Sequence, residues 1–223
     1  MYKDIILLTT SKKINNLCIA GVEKENGSWV RIISEDEEIQ HAITTNDAMY
    51  EDGSMPQIMD IIRIKCKGYK PNYYQPENYV LDDSYYWEKV GTASIRELLR
   101  VHPVENNSFL FYDTDKCIER AYFNNLNDKD RYSLTLISPE DICVHVKQWS
   151  KHEKKKVTMS FNYSGNRYWY IRLTDTEFEN IYLQYQDGNY NYREKCLLVV
   201  SLGDVNPKDN KHYKLIAKVL NIK

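Results

Sequence analysis

Apolar and polar positions divide the start of the chain into short strand-like runs. Residues 5–8 and 17–22 are apolar and flank a polar turn at residues 11–13, and a further apolar run at 29–33 follows an Asn-Gly turn. Short β-rich runs joined by basic turns predict the opening meander of a barrel that carries its chemistry on its loops. A second set of such runs closes the chain at residues 197–202 and 213–219. The pattern therefore predicts a mainly β protein with minor α structure.

Two short helices and more strands are predicted in the middle of the chain. An apolar three-to-four-residue spacing after a Thr or Ser start predicts a helix within residues 92–101. Asp175 is the predicted N-cap of a second helix over residues 177–185. Alternation of apolar and polar residues predicts the remaining strands, at residues 58–66, 132–137 and 141–146 and in a hairpin over 157–173.

Residues 124–130 are rich in Asn and Asp, and we place the domain boundary there. The chain of 223 residues is long enough for one large core or two small ones. The boundary predicts an N-terminal domain over residues 1–125, with inserted loops and a short helix, and a C-terminal domain over 126–223, also with a short helix.

Composition limits the classes of function. A formal net charge of -2 excludes a broadly basic nucleic-acid-binding surface, so any such site must be local. The five cysteines are isolated and form no Cys-x-x-Cys pair, which excludes a disulfide framework or a zinc knuckle and favours a reducing cytoplasm. No segment has the length of a signal or membrane-spanning run. We expect a cytoplasmic protein without a metal or another cofactor.

The predicted hairpin over residues 157–173 places aromatic residues on a solvent face. Alternation assigns one face to the core, with Met159, Phe161, Trp169, Ile171 and Leu173. The other face points outward and carries Ser160, Asn162, Tyr168, Tyr170 and Arg172. Two tyrosines and an arginine on one outward face are typical of a platform on which unpaired bases stack. The same pattern also fits exposed tyrosines that pair across strands without a ligand.

Three groups of basic residues are candidate phosphate contacts. Lys12 and Lys13 converge with Arg31 at one barrel mouth if the first and third runs pair. The Lys65, Lys67 and Lys70 series is interleaved with tyrosines and lies beside a proline-containing loop. The densest basic run spans residues 151–156. Ordinary solvated charges explain each of these groups as well.

Signals for catalysis are few. Asp141, Glu153 and Lys155 have a spacing related to that of metal-dependent nucleases, but Glu-x-Lys arises readily by chance in a chain with 28% charged residues. The histidines form no pair at metal-ligand spacing. We therefore predict no catalytic residue, and a metal-dependent nuclease is the third of three candidate functions.

An ordered set of short motifs along nearly the whole chain resembles the bacterial dual OB-containing domain family. The motifs lie at residues 6–13, 18–21, 29–34, 60–61, 75–78, 132–137, 161–165, 173–175, 200–203 and 213–217. The resemblance implies two small OB-like barrels packed together, a gene position near prokaryotic defence genes, and recognition of nucleic acid or a nucleotide. It also implies that certain polar positions belong to the site, namely Ser11, Lys12, Lys13, Arg31, Glu77, Asn78, Asp175, Ser201 and Lys214.

We accordingly predict a non-catalytic module that binds single-stranded nucleic acid or nucleotides in a prokaryotic defence or nucleic-acid-processing system. Bases would stack on Tyr168 and Tyr170, and phosphates would be held by four basic side chains, those of Lys12, Lys13, Arg31 and Arg172. The alternative is a protein-interaction subunit that docks a catalytic partner encoded nearby, because Tyr and Arg also anchor protein interfaces.

Overall fold

The computed structural model describes residues 1–13, 15–150 and 152–222. Strand accounts for 47% and helix for 12% of the structure, which confirms the mainly β prediction. The chain divides into two compact units, residues 1–103 and 104–223. The predicted boundary stretch instead lies within the second unit, where it forms the 3₁₀ turns Arg120–Asn125 and Asp128–Asp130. Its Asn and Asp residues favour local turns whether or not a domain ends there.

The first unit consists of six strands and a short helix within residues 1–13 and 15–103. These are β1 (Tyr2–Lys13), β2 (Asn16–Glu23), β3 (Trp29–Ile33), β4 (Asp60–Tyr69), β5 (Asn78–Leu81), β6 (Glu88–Thr92) and α1 (Ile95–Val101). A 3₁₀ turn, Asn46–Ala48, lies in the long connection between β3 and β4.

The strands of the first unit close into a barrel. β1 pairs with β2, β2 with β3, β3 with β5 in parallel, β5 with β4, and β4 with β1. β1 is 12 residues long, so its residues 5–13 pair with β2 while its residues 2–6 pair with β4. β6 lies beyond β4 at the edge of the sheet. A five-stranded barrel of this kind is the architecture of the OB-fold.

Apolar residues from the inward faces of these strands fill the first barrel. The buried cluster includes Ile5, Leu7, Ile19, Val30, Ile32, Ile62, Ile64 and Trp87. Gly27 in the turn between β2 and β3 has φ +71, and a Cβ there would lie 1.9 Å from the carbonyl oxygen of Val101. The His102 ring donates to the Gly27 carbonyl oxygen at 2.8 Å. The end of α1 is therefore fixed against this turn.

The second unit contains the remaining strands and a second helix. These are β7 (Cys117–Glu119), β8 (Leu134–Ile137), β9 (Glu140–Lys147), β10 (Lys156–Tyr163), β11 (Asn166–Leu173), α2 (Thr176–Leu183), β12 (Gly188–Asn191), β13 (Cys196–Asn206) and β14 (Lys211–Asn221). The predicted N-cap is confirmed, since Asp175 accepts a hydrogen bond from the Phe178 N–H at the start of α2.

The second unit repeats the pairing order of the first. β9 pairs with β10, β10 with β11, β11 with β14 in parallel, β14 with β13, and β13 with β8. β8 and β9 are consecutive, separated by Ser138 and Pro139, and together they take the place that β1 occupies in the first unit. β12 adds to the outer edge of β9, and β7 pairs with β14. No helix within the described residues is long and apolar enough to cross a membrane.

Candidate nucleic-acid interface

A groove of about 570 Å³ runs across one face of the second unit. It lies over β9, β10 and β11 and is bounded by β12. Its walls carry lysines and aromatic rings, so we call it the basic-aromatic groove and define it by Lys116, His145, Lys147, Trp149, Lys156 and Tyr170.

Two lysines of the groove face each other at the end of a strand pair. Lys147 ends β9, Lys156 begins β10, and the two residues are directly opposite in the ladder. Like charges in that arrangement destabilise a sheet. Asp187 offsets the repulsion in part, with its carboxylate 3.7 Å from the Lys147 ammonium. A local arrangement that costs stability is expected where an anion binds.

Trp149 stands in the loop that joins β9 to β10, and 70% of its surface is exposed. Sequence reasoning missed this residue, together with Lys116, Lys147, His145 and Asn189. The signal available in the sequence was an aromatic residue beside the basic run at 151–156. Of that run, Lys151 lies outside the described residues, whereas Lys156 lines the groove.

Tyr170 reaches the groove through a β-bulge in β11. Between the pairs Met159–Ile171 and Phe161–Tyr168, two residues of β11 stand opposite one residue of β10. Tyr170 lies in the bulge and has a backbone φ of 53°, in the left-handed region that residues other than glycine rarely adopt. As a result Tyr170 is 57% exposed, as predicted for this position.

Because of the bulge, the two residues before Tyr170 point to the opposite faces of the sheet from those predicted. Tyr168 was predicted to point outward, but it is 0% exposed, and its hydroxyl accepts a hydrogen bond from the Leu110 N–H at 2.7 Å. Trp169 was predicted in the core, but it is 55% exposed, with the Arg167 guanidinium 4.9 Å from its ring centre. The prediction of base stacking on Tyr168 is therefore wrong, because one extra residue shifts the alternation.

A hydrogen-bonded histidine supports the Tyr170 ring. The His145 ring lies 4.6 Å from it, centre to centre. His145 is held on both sides, with Nδ1 2.7 Å from Asn189 Oδ1 and Nε2 2.8 Å from Ser160 Oγ. Ser160, predicted on the outward face, is buried, and it also accepts a hydrogen bond from the Tyr170 N–H at 3.0 Å. Tyr170 is thus held from its backbone and from its ring, which favours a rigid stacking platform.

Arg172 is exposed on the outer face of β11, as predicted. Its backbone pairs with Thr158 of β10, which lines the groove. Of the residues predicted on the outward hairpin face, Tyr170 and Arg172 therefore lie at or beside the groove.

The residues of the predicted phosphate site in the first unit differ in exposure. Lys12 is exposed and Lys13 half-buried at the end of β1, and Ser11 is buried, with its N–H donating to Thr9 Oγ1. Arg31 was predicted at an open barrel mouth but is buried, and its guanidinium donates to Cys18 Sγ at 3.0 Å. The prediction required the first and third runs to pair, but β1 pairs with β2 and β4 whereas β3 pairs with β2 and β5.

Most other polar positions carried over from the family are also buried. Glu77 and Asn78 are buried where β5 begins, and the Glu77 carbonyl accepts from the Arg31 N–H at 2.9 Å. Asp175 caps α2 and pairs with Lys218 at 3.2 Å, and Ser201 is buried in β13. These positions support the fold rather than an open surface.

Lys214 is a buried cation on β14. Its ammonium donates to the carboxylate of Asp113 at 2.8 Å and lies 5.3 Å from the centre of the Tyr168 ring. Burial lowers the pKa of Lys214, and the Asp113 carboxylate opposes that shift. The side chain is enclosed by its own unit, so it does not offer a surface contact to phosphate.

The residues of the nuclease hypothesis are engaged separately. Lys155 donates to the carbonyl oxygens of Leu183, the last residue of α2, and of Tyr185 just after it, at 3.2 and 2.7 Å. Asp141 accepts a hydrogen bond from Asn162 at 2.8 Å. Among the described residues, no three His, Cys, Asp or Glu side chains lie where they could hold a metal ion together.

The basic-aromatic series of the first unit is partly neutralised. Lys65 lies over the ring of Tyr2 at 4.4 Å and that of Tyr85 at 5.3 Å. Lys67 instead pairs with the carboxylates of Glu35 and Asp83 at 2.9 and 3.4 Å. This surface carries cations and rings, and the charge of Lys67 is already balanced by carboxylates.

The fold defines a protein built from OB-type barrels. The family model of the dual OB-containing domain matches residues 3–219, and the chain belongs to that family. Among solved structures, it is similar to the HINa domain of Ifi202 in complex with a 20-bp double-stranded DNA, at 10% sequence identity and a TM-score of 0.32, with 100% of this chain and 96% of that chain covered. This likeness is too distant to bear on function. No curated protein matches the chain.

Proposed function

We infer that this chain is a recognition module that binds single-stranded nucleic acid or nucleotides in the basic-aromatic groove. The observation that carries the proposal is the convergence in one groove of two exposed rings, Trp149 and Tyr170, with Lys116, Lys147 and Lys156. Such rings stack on bases of any sequence, and the lysines neutralise phosphates.

The position of the groove within the barrel supports the same function. OB-folds bind oligonucleotides on the face of their second and third strands and with the loop between the first and second strands. In the second unit those elements are β10, β11 and the loop after β9, which carry Lys156, Tyr170 and Trp149. The groove volume of about 570 Å³ suits a ligand the size of one or two nucleotides.

Binding of a labelled oligothymidine of about 12 nucleotides tests the proposal, by fluorescence anisotropy at about 50 and about 200 mM salt. We expect affinity to fall roughly twentyfold over that range, since about three phosphates are neutralised. Trp149→Ala and Tyr170→Ala should each weaken binding about 5- to 100-fold. Tyr86→Ala removes an equally exposed ring of the first unit and should change nothing.

Three results would overturn this function. The first is the absence of oligothymidine binding at the lower salt concentration. The second is equal oligothymidine affinity in Tyr86→Ala and in the groove variants. The third is a salt dependence of binding that does not change when Lys147 and Lys156 are both replaced by alanine. A double-stranded competitor of the same sequence distinguishes single-strand binding from general attraction to phosphate.

We also propose a setting, a prokaryotic defence or nucleic-acid-processing system in the cytoplasm. The family resemblance supports the first part. The five cysteines are all free, which suits a reducing compartment. Burial also raises the pKa of the Cys66 thiol to about 11 and that of Cys196 to about 12, so both thiols remain protonated at neutral pH. Localisation of the tagged protein and the identities of its neighbouring genes test the setting.

A further inference from the structure

The outward face of β11 continues beyond the basic-aromatic groove. Trp169 does not line that groove, but it is 55% exposed, and its ring centre lies 6.1 Å from that of Tyr170 with the ring planes inclined by 35°. The residues on either side of this pair, Tyr168 and Ile171, are buried. The bulge therefore turns two successive rings to solvent, and a second aromatic surface begins where the groove ends.

Arg167 completes this second surface. Its guanidinium lies 4.9 Å from the centre of the Trp169 ring, and one nitrogen donates to the Asp141 carbonyl oxygen at 2.6 Å and to the Asn162 side-chain oxygen at 3.2 Å. The Asp141 carboxylate instead accepts from the Asn162 amide at 2.8 Å. Among the described residues Arg167 forms no ion pair, so a positioned cation lies beside an exposed ring. We call Trp169 and Arg167 the Trp169 subsite.

The groove and the Trp169 subsite lie along one pair of β-strands. Lys156 lines the groove at the start of β10, and Asn162 further along β10 is the ladder partner of Arg167. These two positions of β10 are about 20 Å apart, at roughly 3.3 Å per residue. The groove alone suits about one or two nucleotides. The whole face is therefore longer than a mononucleotide needs.

We propose that the ligand of this face is a single-stranded oligonucleotide of at least about four nucleotides, and that the Trp169 subsite holds a nucleotide beyond those in the groove. The inference rests on the proposed function, which leaves oligonucleotides and mononucleotides both open. Trp169 offers a ring to a further base, and Arg167 offers a charge to a further phosphate. An oligonucleotide occupies both places at once, and its second contact is intramolecular, whereas a mononucleotide occupies only one.

Ligands of increasing length test the proposal on the full chain. Unlabelled thymidine monophosphate, thymidine dinucleotide and tetrathymidylate each compete with the labelled oligothymidine at about 50 mM salt. We expect tetrathymidylate to compete at least about tenfold more strongly than the dinucleotide, because only the longer ligand reaches from the groove to the Trp169 subsite with its bases stacked. Thymidine monophosphate should compete most weakly.

Variants assign the gain with length to the Trp169 subsite. In Trp169→Ala, tetrathymidylate should bind about 5- to 100-fold more weakly, with binding of thymidine monophosphate unchanged. Trp169→Phe retains a ring and should recover most of the lost affinity. Arg167→Gln removes the charge, so the slope of log affinity against log salt should fall by about 1. Arg96→Gln removes an exposed guanidinium from α1 of the first unit and should leave that slope unchanged.

Unchanged tetrathymidylate affinity in Trp169→Ala, together with weakened binding in Tyr170→Ala, would overturn the Trp169 subsite and leave the function of the groove standing. Thymidine monophosphate that competes as strongly as tetrathymidylate would do the same, because the groove alone would then account for binding. Absence of any oligothymidine binding at low salt would overturn both proposals. The failure of this inference is therefore distinguishable from the failure of the proposed function.

Discussion

The two units reach one pairing order by different means. In the first, the continuous strand β1 pairs with both β2 and β4. In the second, β8 pairs with β13 and β9 pairs with β10, with Ser138 and Pro139 between them. Proline has no N–H to offer a ladder, so a strand interruption at that place is expected. The order in which the strands pair therefore does not require an unbroken first strand.

The units also differ in charge at their grooves. The second unit has a groove in which exposed rings lie beside lysines, whereas the first has a groove lined by the carboxylates of Glu51, Asp52 and Glu88. A net charge of -2 for the whole chain hides this contrast. The comparison teaches that similar barrels in one chain can present surfaces suited to ligands of opposite charge.

Glycine substitution tests how tightly each barrel is closed, with the largest expected effect. In Gly21→Ala the new Cβ would lie 2.2 Å from the backbone oxygen of Ile6, so β1 and β2 must move apart. We expect the free energy of unfolding to fall by about 3 kcal/mol in urea denaturation. In Gly203→Ala the nearest atom is the end of the Leu215 side chain, at 3.0 Å, which can rotate. That variant should lose no more than about 1 kcal/mol, and equal losses would contradict this account.

Tyr168 and Tyr170, two residues apart on β11, should separate stability from binding. Tyr168→Phe removes a buried hydroxyl that accepts from the Leu110 N–H, so we expect a loss of about 1–3 kcal/mol in unfolding free energy with unchanged oligothymidine affinity. Tyr170→Gly should weaken oligothymidine binding but be about 1 kcal/mol more stable than Tyr170→Ala, because glycine accepts φ 53 without strain. A Tyr168→Phe protein that binds less tightly would contradict the assignment.

The buried His212 predicts a pH dependence in the second unit. Burial lowers the pKa of His212 from its ordinary 6.5, so between the folded and unfolded values the unfolded chain binds the extra proton. Its contribution to stability is present above pH 6.5 and is lost as the pH falls towards the folded value. Urea denaturation from about pH 7.5 to 5.5 should show a slope of up to about 1.4 kcal/mol per pH unit. His212→Gln should flatten that slope, while His152→Gln at an exposed position serves as the control.

A carboxylate next to the basic-aromatic groove gives the smallest expected effect. Asp187→Asn removes the charge beside Lys147 but keeps an oxygen that can accept from the Gln148 N–H. Oligothymidine affinity should rise about two- to threefold at low salt and less at high salt. Reduced oligothymidine affinity would argue against phosphate beside Lys147.

The sequence allows most strands of both barrels to be predicted, because apolar runs and turn residues are local signals. The hairpin predicted over residues 157–173 consists of β10 and β11, and the helix predicted within 92–101 is α1. The short strands β5, β6, β7 and β12 were not predicted. They are three to five residues long, and their pairing depends on partners far away in the chain.

The candidate site was harder to predict than the fold. Alternation predicts the facing of Tyr170 and Arg172, but the bulge that buries Tyr168 and exposes Trp169 is not a pattern of apolar and polar residues. Arg31 and Lys214 show a different difficulty, since charged side chains usually face solvent and these two are enclosed with partners. Which polar residues are enclosed depends on the closed barrel, which local sequence does not reveal.

A regular strand with one buried face exposes only every second side chain to solvent, whereas the bulge in β11 exposes the neighbouring residues Trp169 and Tyr170 together. The aromatic surface of that barrel can therefore grow or shrink by the insertion or deletion of a single codon, without any change of side-chain chemistry. Among related chains, we expect ligand preference to follow strand length at this point more closely than it follows amino-acid identity.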